Sequence, residues 1–154
     1  MASEAAPKIL HRSRACFVCG TDNPDGLGLQ PLGEGDKVYV EYTPEAAYVG
    51  MSSTIHGGMV ATLLDEVLGN VAGLAVDGKA ATAELNVTYR GPLRVGERVR
   101  AEAWVTRKAG RYVFSRGRIL ALVGERAGKV LAEGRGRFVV VDERLRQRFI
   151  DRPR

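Results

Sequence analysis

A histidine, two glycines and an acid lie close together near the middle of this 154-residue chain. His56, Gly57 and Gly58 come immediately before an apolar segment, and Asp65 follows nine positions after the histidine. A helix that begins at this turn exposes unpaired backbone N–H groups at the positive end of its dipole. Because glycine has no side chain, the oxygen of a ligand can approach these N–H groups closely, as an oxyanion hole requires. Together with a nearby acid, the pattern predicts a hydrolytic site.

Each of these residues also has a purely structural interpretation. His56 could simply cap the helix, the two glycines could serve only a tight turn, and Asp65 could pair with an arginine of a later strand. A buried, unpaired carboxylate is costly, which favours a working role for an acid kept on an apolar helix. Glu66 points to a different side of the helix and is expected to be structural or solvated.

The residues after the turn predict one long helix, from about His56 to Leu74. Its apolar positions follow i, i+3, i+4 spacing: Val60, Leu63, Leu64, Val67, Leu68 and Val71. The opposite side carries small residues together with the acid: Ala61, Thr62, Asp65, Gly69 and Ala72. Small residues allow close approach of another element, so we expect the helix to be buried nearly all round.

Five other segments alternate or are rich in β-formers and predict strands. They cover residues 37–43, 80–90, 98–107, 111–122 and 129–141. A single helix between the first strand and a run of four strands does not match the repeating strand–helix order of a parallel sheet, and short connections favour antiparallel pairing. The predicted fold class is therefore α+β, with a curved antiparallel sheet of about five or six strands wrapped around one long central helix.

The organisation along the chain predicts one domain. Residues 1–14 are expected to form a flexible N-terminal arm, 15–141 the domain, which opens with an irregular ordered loop over 15–35, and 142–154 a short basic tail. No apolar run approaches the length of about 20 residues that crosses a bilayer, and the first 14 residues lack an apolar signal region, so we expect no membrane partner and a cytoplasmic location. The net charge of +5 comes without an aromatic stacking pattern or a recognised module, so nucleic acid is not an expected partner.

Cys16 and Cys19 are the only cysteines and are spaced as in many metal and redox sites. Two thiolates cannot fill a tetrahedral zinc shell, and His11 is a candidate third ligand without an obvious fourth. Redox pairs of this spacing usually open a helix, whereas a turn-forming segment, 22–26, follows here. A structural loop, a zinc site and a redox pair therefore remain alternatives, and the expected site contains no metal.

Three motifs together resemble the hotdog-fold acyl-coenzyme A thioesterases of the phenylacetate-degradation type. They are the turn 56–58 with its spaced acid, the leader 16–29 (CFVCGTDNPDGLGL), and the segment 85–97 (LNVTYRGPLRVGE). The resemblance covers residues 15–141. It implies the hotdog fold and hydrolysis of an acyl-coenzyme A thioester, with no cofactor because coenzyme A is part of the substrate.

The resemblance also assigns roles to individual residues. It implies that Asp65 activates water or attacks the thioester, that Gly57 N–H binds the thioester oxygen, and that His56 shapes and polarises the turn. Thr82 matches a position that assists the attacking water, although threonine is also common in strands for its β-propensity. Gly58 and the basic residues Arg90, Arg107, Lys108 and Arg111 are candidate substrate-binding groups, because guanidinium and ammonium groups suit the phosphates of coenzyme A.

One position departs from this family pattern. Many relatives have Asn six residues before the histidine, whereas Gly50 stands here. Ser52, Ser53 or Asn70 could substitute for that amide, or the water could be held differently. Asn70 is therefore also a candidate substrate-binding residue.

The spacing within the helix predicts that the site needs two subunits. Gly57 and Asp65 are eight residues apart, about 12 Å along a helix, too far for both to act on one carbonyl. We therefore expect a homodimer, with two such dimers pairing into a tetramer, in which Asp65 faces Gly57 of the partner subunit. The alternative function is a non-catalytic acyl-coenzyme A sensor on the same fold, and a hydratase is disfavoured because the chain has only two histidines.

Overall fold

The computed structural model describes residues 6–10 and 13–149, and of Phe149 only the backbone. Seven strands form an antiparallel sheet, a further two-stranded hairpin lies outside it, and one long helix packs on the sheet. The strands are β1 (Lys8–Ile9), β2 (Leu32–Glu34), β3 (Lys37–Tyr42), β4 (Val49–Met51), β5 (Thr54–Ile55), β6 (Ala80–Tyr89), β7 (Val99–Ala109), β8 (Tyr112–Ala121) and β9 (Val130–Val140). The helices are α1 (Gly57–Ala75) and α2 (Glu143–Phe149), with short 3₁₀ turns at Ala46–Tyr48 and Gly124–Arg126.

The order in the main sheet is β1-β2-β3-β7-β8-β9-β6. Its five long strands and α1 lie within two residues of the predicted boundaries, which confirms the α+β class. The sheet has seven strands rather than five or six, because two very short strands extend its β3 edge. One of them, Lys8–Ile9, lies in the expected arm and pairs with Leu32 and Gly33.

The apolar stripe of α1 lies on one face of the sheet. Leu63, Leu64, Val67 and Leu68 are completely buried. The facing strand residues alternate with outward polar ones, as the two-residue period of a strand requires. The inward set includes Val99, Ala101, Ala103, Val113, Ile119, Ala121, Ala132 and Phe138.

Glycines in the two central strands let α1 lie close to the sheet. A Cβ added at Gly134 would meet Leu68 Cδ1 at 3.0 Å, and one at Gly117 would meet Leu68 Cδ2 at 3.4 Å and Glu102 O at 2.7 Å. At Gly134 the space that a side chain would occupy is therefore filled by the helix residue, whereas at Gly117 it is blocked by the backbone of the neighbouring strand β7 and Leu68 lies in ordinary contact. We call Gly117 and Gly134 the glycine trough.

The small residues of α1 divide into two groups, which corrects the expectation that α1 is buried nearly all round. Ala72 is completely buried, and a Cβ at Gly69 would lie 3.3 Å from Phe138 Cε1, so this part of the helix packs against its own sheet. Ala61, Thr62 and Asp65 are only half-buried in the single chain.

Among the residues that the structure describes, one helix is long and apolar enough to cross a bilayer by length and composition alone. It is α1, with a mean hydropathy of 1.3, and in this respect the expectation of no such run was wrong. Half of that segment is buried inside the protein. Because the same residues form the core against the sheet, the apolar character of α1 is accounted for by packing.

Candidate functional site

The turn before α1 is held by the histidine. His56 is the N-cap residue, and its Nδ1 accepts a hydrogen bond from Gly58 N–H at 2.9 Å. Its own backbone N–H donates to Tyr48 O at 2.9 Å. A neutral His56 therefore carries its ring proton on Nε2, which leaves that N–H as a donor. The same contact engages Gly58 N–H, the group expected to help bind substrate.

Gly57 keeps its N–H group unengaged. Among residues 6–10 and 13–149, no acceptor is found for Gly57 N–H, whereas Tyr89 Oη donates to Gly57 O at 2.9 Å. Tyr89 is half exposed, and sequence reasoning missed it because a tyrosine in a strand has no pattern that singles it out. The free amide lies at the start of α1, where the positive end of the helix dipole favours negative charge.

Gly50 lies directly against the same turn. A Cβ at Gly50 would be 2.9 Å from His56 Cα and 3.3 Å from His56 Cβ. This close backbone approach explains why the position carries glycine here. Asn70, a suggested substitute for the missing amide, instead donates through Nδ2 to Glu66 O at 2.7 Å and Glu66 Oε1 at 3.0 Å.

Asp65 has a defined partner on the edge strand. Thr82 Oγ1 donates to Asp65 Oδ1 at 2.8 Å. The carboxylate is half-buried rather than buried and unpaired, so the desolvation argument for its working role does not hold. What remains is an oriented carboxylate with its second oxygen open to other donors.

The two halves of the predicted site lie apart within one chain. Gly57 contacts Tyr89 near the end of β6, and Asp65 contacts Thr82 near its start. Cavities of about 690 and 350 Å³ are found elsewhere on the described residues, and neither is lined by Gly57 or Asp65. A single chain therefore presents two half-sites along β6, an edge strand of the sheet.

The candidate phosphate-binding residues are distributed over both ends of α1. Arg90 follows Tyr89 and pairs with Glu133 at 2.7 Å. At the other end, Lys108 Nζ donates to Ala75 O at 2.6 Å. Two further guanidinium groups stack on rings of the same hairpin: Arg107 over Phe114 at 4.3 Å and Arg111 over Tyr112 at 5.4 Å.

The cysteine pair lies next to Glu66, the residue that follows Asp65 on α1. The two sulfur atoms and a carboxylate oxygen of Glu66 all lie within 4.8 Å of one another. Burial, and then the hydrogen bond with Glu66, raise the pKa of the Cys19 thiol above its usual range. Glu66 is thus engaged rather than simply solvated, and His11, the third ligand considered from sequence, lies outside the described residues.

Residues 52–127 match the family model described as the thioesterase superfamily. Human acyl-coenzyme A thioesterase 13 is 30% identical over 101 residues, which cover 64% of this chain and 69% of that protein. This chain belongs to the thioesterase superfamily. The mouse protein of the same name is 26% identical over 102 residues, covering 65% of this chain and 70% of its own.

Solved structures of other superfamily members share the hotdog architecture. A crystal structure of a thioesterase superfamily protein is 28% identical with a TM-score of 0.72, covering 82% of this chain and 60% of its own. A mutant of the phenylacetic acid degradation protein PaaI from Thermus thermophilus is 25% identical with a TM-score of 0.65, covering 75% of this chain and 95% of its own. The expected fold and family are therefore confirmed for this thioesterase-superfamily member.

Proposed function

We propose that this protein is an acyl-coenzyme A thioesterase, which hydrolyses a thioester to a free acid and coenzyme A. The observation that carries the proposal is the combination of an unengaged Gly57 N–H at the start of α1 with an Asp65 carboxylate oriented by Thr82. The similarity to human acyl-coenzyme A thioesterase 13 supports the substrate class.

The complete site is a property of a homodimer in this proposal. Within residues 6–10 and 13–149, strand β6 pairs with β9 on one side only, so its other edge can receive a second copy of the chain. An antiparallel pairing of two β6 strands about a two-fold axis between Leu85 and Asn86 sets Thr82 opposite Tyr89 of the partner subunit. Asp65 then approaches Gly57 N–H of the partner subunit. The equivalent N–H of its own chain stays about 12 Å away along the helix. We propose further that two such dimers pair into a tetramer, which would hold four sites.

The residues then divide the reaction between two subunits. Gly57 N–H of one subunit donates to the thioester oxygen, and Asp65 of the other takes a proton from the attacking water. The new C–O bond forms as the C–S bond breaks, and the leaving thiolate takes up the proton. In the nucleophilic version, Asp65 itself attacks the thioester carbon, the C–S bond breaks and the coenzyme A thiolate leaves. Water then hydrolyses the resulting mixed anhydride, which regenerates the Asp65 carboxylate and releases the acid, and the thiolate takes up a proton from that water. Thr82 orients the carboxylate in both versions, and His56 keeps the turn in shape.

Coenzyme A carries its phosphates at the far end of a long arm, so phosphate-binding cations must lie well away from the carboxylate. Lys108 meets this condition, because Ala75, its partner, is ten residues beyond Asp65, about 15 Å along α1. Arg90 follows Tyr89 near the Gly57 turn, but its guanidinium pairs with Glu133 and lines the cavity of about 690 Å³ rather than the half-site, so it stays a candidate for binding only. Replacing Arg90 with Ala should raise KM more than it lowers kcat, as expected for a group that contributes to binding only.

The experiment is a thiol-release screen of short, long and aromatic acyl-coenzyme A esters, run on the parent protein and on Asp65→Asn. We expect turnover by the parent and a loss of about 10²–10⁴-fold in the variant, the range of a general base. Equal rates for parent and variant would contradict the mechanism. Tight binding of acyl-coenzyme A without any thiol release would favour the sensor instead.

A further inference from the structure

The leader segment, residues 16–29, begins with a tight turn over Cys16 to Gly20 that contains both cysteines; we call this turn the knuckle. Gly20 N–H donates to Cys16 O at 2.9 Å, and Val18 N–H donates to Cys16 Sγ at 3.4 Å. A Cβ at Gly20 would lie 2.3 Å from Cys16 O, so this Cys-x-x-Cys-Gly turn closes only with glycine at its end. A backbone N–H aimed at sulfur stabilises negative charge on that atom.

A third donor reaches the same point from helix α1. Glu66 places a carboxylate oxygen so that it and the sulfur atoms of Cys16 and Cys19 all lie within 4.8 Å of one another. Asn70 Nδ2 donates to Glu66 Oε1 at 3.0 Å, which fixes the carboxylate in the way that outer residues commonly orient a metal ligand. Cys19 is buried, while Cys16 and Glu66 are half-buried, so the cluster is open on one side.

We propose that Cys16, Cys19 and Glu66 bind one Zn²⁺ ion, with a water molecule in the fourth position. Two thiolates and a carboxylate suit zinc better than the hard cations that prefer oxygen alone. Zinc–sulfur bonds of about 2.3 Å place two sulfurs of a tetrahedron about 3.8 Å apart. The two sulfur atoms, which lie within 4.8 Å of each other, therefore need to approach by at most about 1 Å. On binding, each thiol loses one proton to solvent as its S–Zn bond forms, and the carboxylate binds as it stands.

Such an ion would fasten the leader loop to α1 one residue away from Asp65. Leu27 N–H and Leu29 N–H donate to Phe17 O and Val18 O, so the rest of the leader is built on the same knuckle. The inference does not rest on thioesterase activity, since it concerns the three donors alone. It replaces the expectations that the domain holds no metal and that Glu66 has only a structural or solvated role.

Metal content tests the proposal directly. Protein prepared without a histidine tag, kept reduced and reconstituted with zinc, should retain about one zinc ion per chain after removal of free metal. Cobalt in place of zinc should show the thiolate-to-cobalt charge-transfer band of a sulfur-containing tetrahedral site. On the unmodified chain, both thiols should resist a thiol reagent until a chelator is added.

Matched variants identify the ligands. Cys19→Ser should lose stoichiometric zinc and the charge-transfer band, and Glu66→Gln should bind zinc at least about tenfold more weakly. Asp65→Asn, which changes the neighbouring carboxylate on the same helix, should keep its zinc while losing thioester hydrolysis, so the two proposals fail separately. Reduced parent protein that retains no zinc, or protein whose mass shows a disulfide under reducing conditions, would overturn the site. Parent-like zinc affinity in Glu66→Gln would remove Glu66 from it.

Discussion

Replacing Gly57 with Pro deletes the proposed oxyanion donor with little change to the backbone. Proline has no N–H and is well tolerated at the first position of a helix, where that N–H makes no helical bond. The preceding residue, His56, has φ −56° and ψ 136°, the extended region that a residue before proline prefers. A Cβ at Gly57 would come no closer than 3.4 Å to Tyr89 Oη. We therefore expect a folded variant whose kcat falls by about 10²–10³-fold, the effect of losing one oxyanion donor.

Mixing this variant with Asp65→Asn tests whether the site is shared between subunits. In a randomly mixed population, about half of the dimers contain one chain of each kind, and one of the two sites in each such dimer has both Gly57 and Asp65 intact. The mixture, refolded together or co-expressed, should therefore recover about one quarter of the parent activity. The assay is thiol release at saturating substrate, with each variant refolded alone as the control. If the mixture is no more active than the separate variants, both groups act from the same chain and the dimeric site is wrong.

Three further predictions concern the groups that support the site and the sheet. Thr82→Val removes the hydrogen bond to Asp65 and should lower kcat by about tenfold, which is within the free-energy range of a hydrogen bond to a charged group. Thr82→Ser keeps the hydroxyl and should restore most of the lost kcat. An unchanged kcat in the valine variant would show that the carboxylate needs no such orientation. Gly50→Ala should destabilise the fold by about 1–3 kcal/mol in denaturant unfolding and reduce turnover, because its Cβ would lie 2.9 Å from His56 Cα. Parent-like stability would show that the β4–β5 hairpin can shift to accommodate the methyl group. The pKa of Glu41 lies below its ordinary value of 4.5 because of its hydrogen bonds and ion pairs with two arginines. Its contribution of about 1 kcal/mol to the free energy of unfolding should therefore be complete above pH 4.5 and decline as the pH falls through the lowered pKa. Glu41→Gln should lose stability relative to the parent at pH 7 but much less at low pH, and an equal difference at both pH values would contradict this origin.

The long elements could be predicted because their patterns are local. The helix stripe around Leu63 and Leu68 has helical spacing, and the five long strands alternate or end at glycine and proline, so neighbouring residues alone indicate each element. The short strands β1, β4 and β5 could not be found this way. They have two or three residues each, too few for an alternating pattern to be visible. β1 pairs with the distant residues Leu32 and Gly33, whereas β4 and β5 pair with each other and Ile55 N–H also donates to the distant Leu93 O.

Contacts between distant segments also limit how much of the site can be predicted from the sequence. Sequence spacing predicted the turn at Gly57 and the acid at Asp65. The side chains that hold them, Tyr89 and Thr82, lie on β6, 32 and 17 residues further along the chain. Glu66 was judged by its side of the helix alone, and its neighbours come from a loop nearly fifty residues earlier. The small-residue side of α1, which includes Gly69, is predicted to pack against another element. The space beside Gly69 is instead filled by Phe138 of the protein's own sheet.

The glycine trough limits how this fold can diversify. A larger residue at Gly134 would press on Leu68 and Leu64 of α1 and lift the helix from β9, and a larger residue at Gly117 would press on the backbone oxygen of Glu102 in β7. Lineages that exchange one acyl group for another are thus expected to vary the connecting segments at either end of the helix, while the middle stays constant. Libraries for altered specificity should leave these two positions untouched and randomise the loops instead.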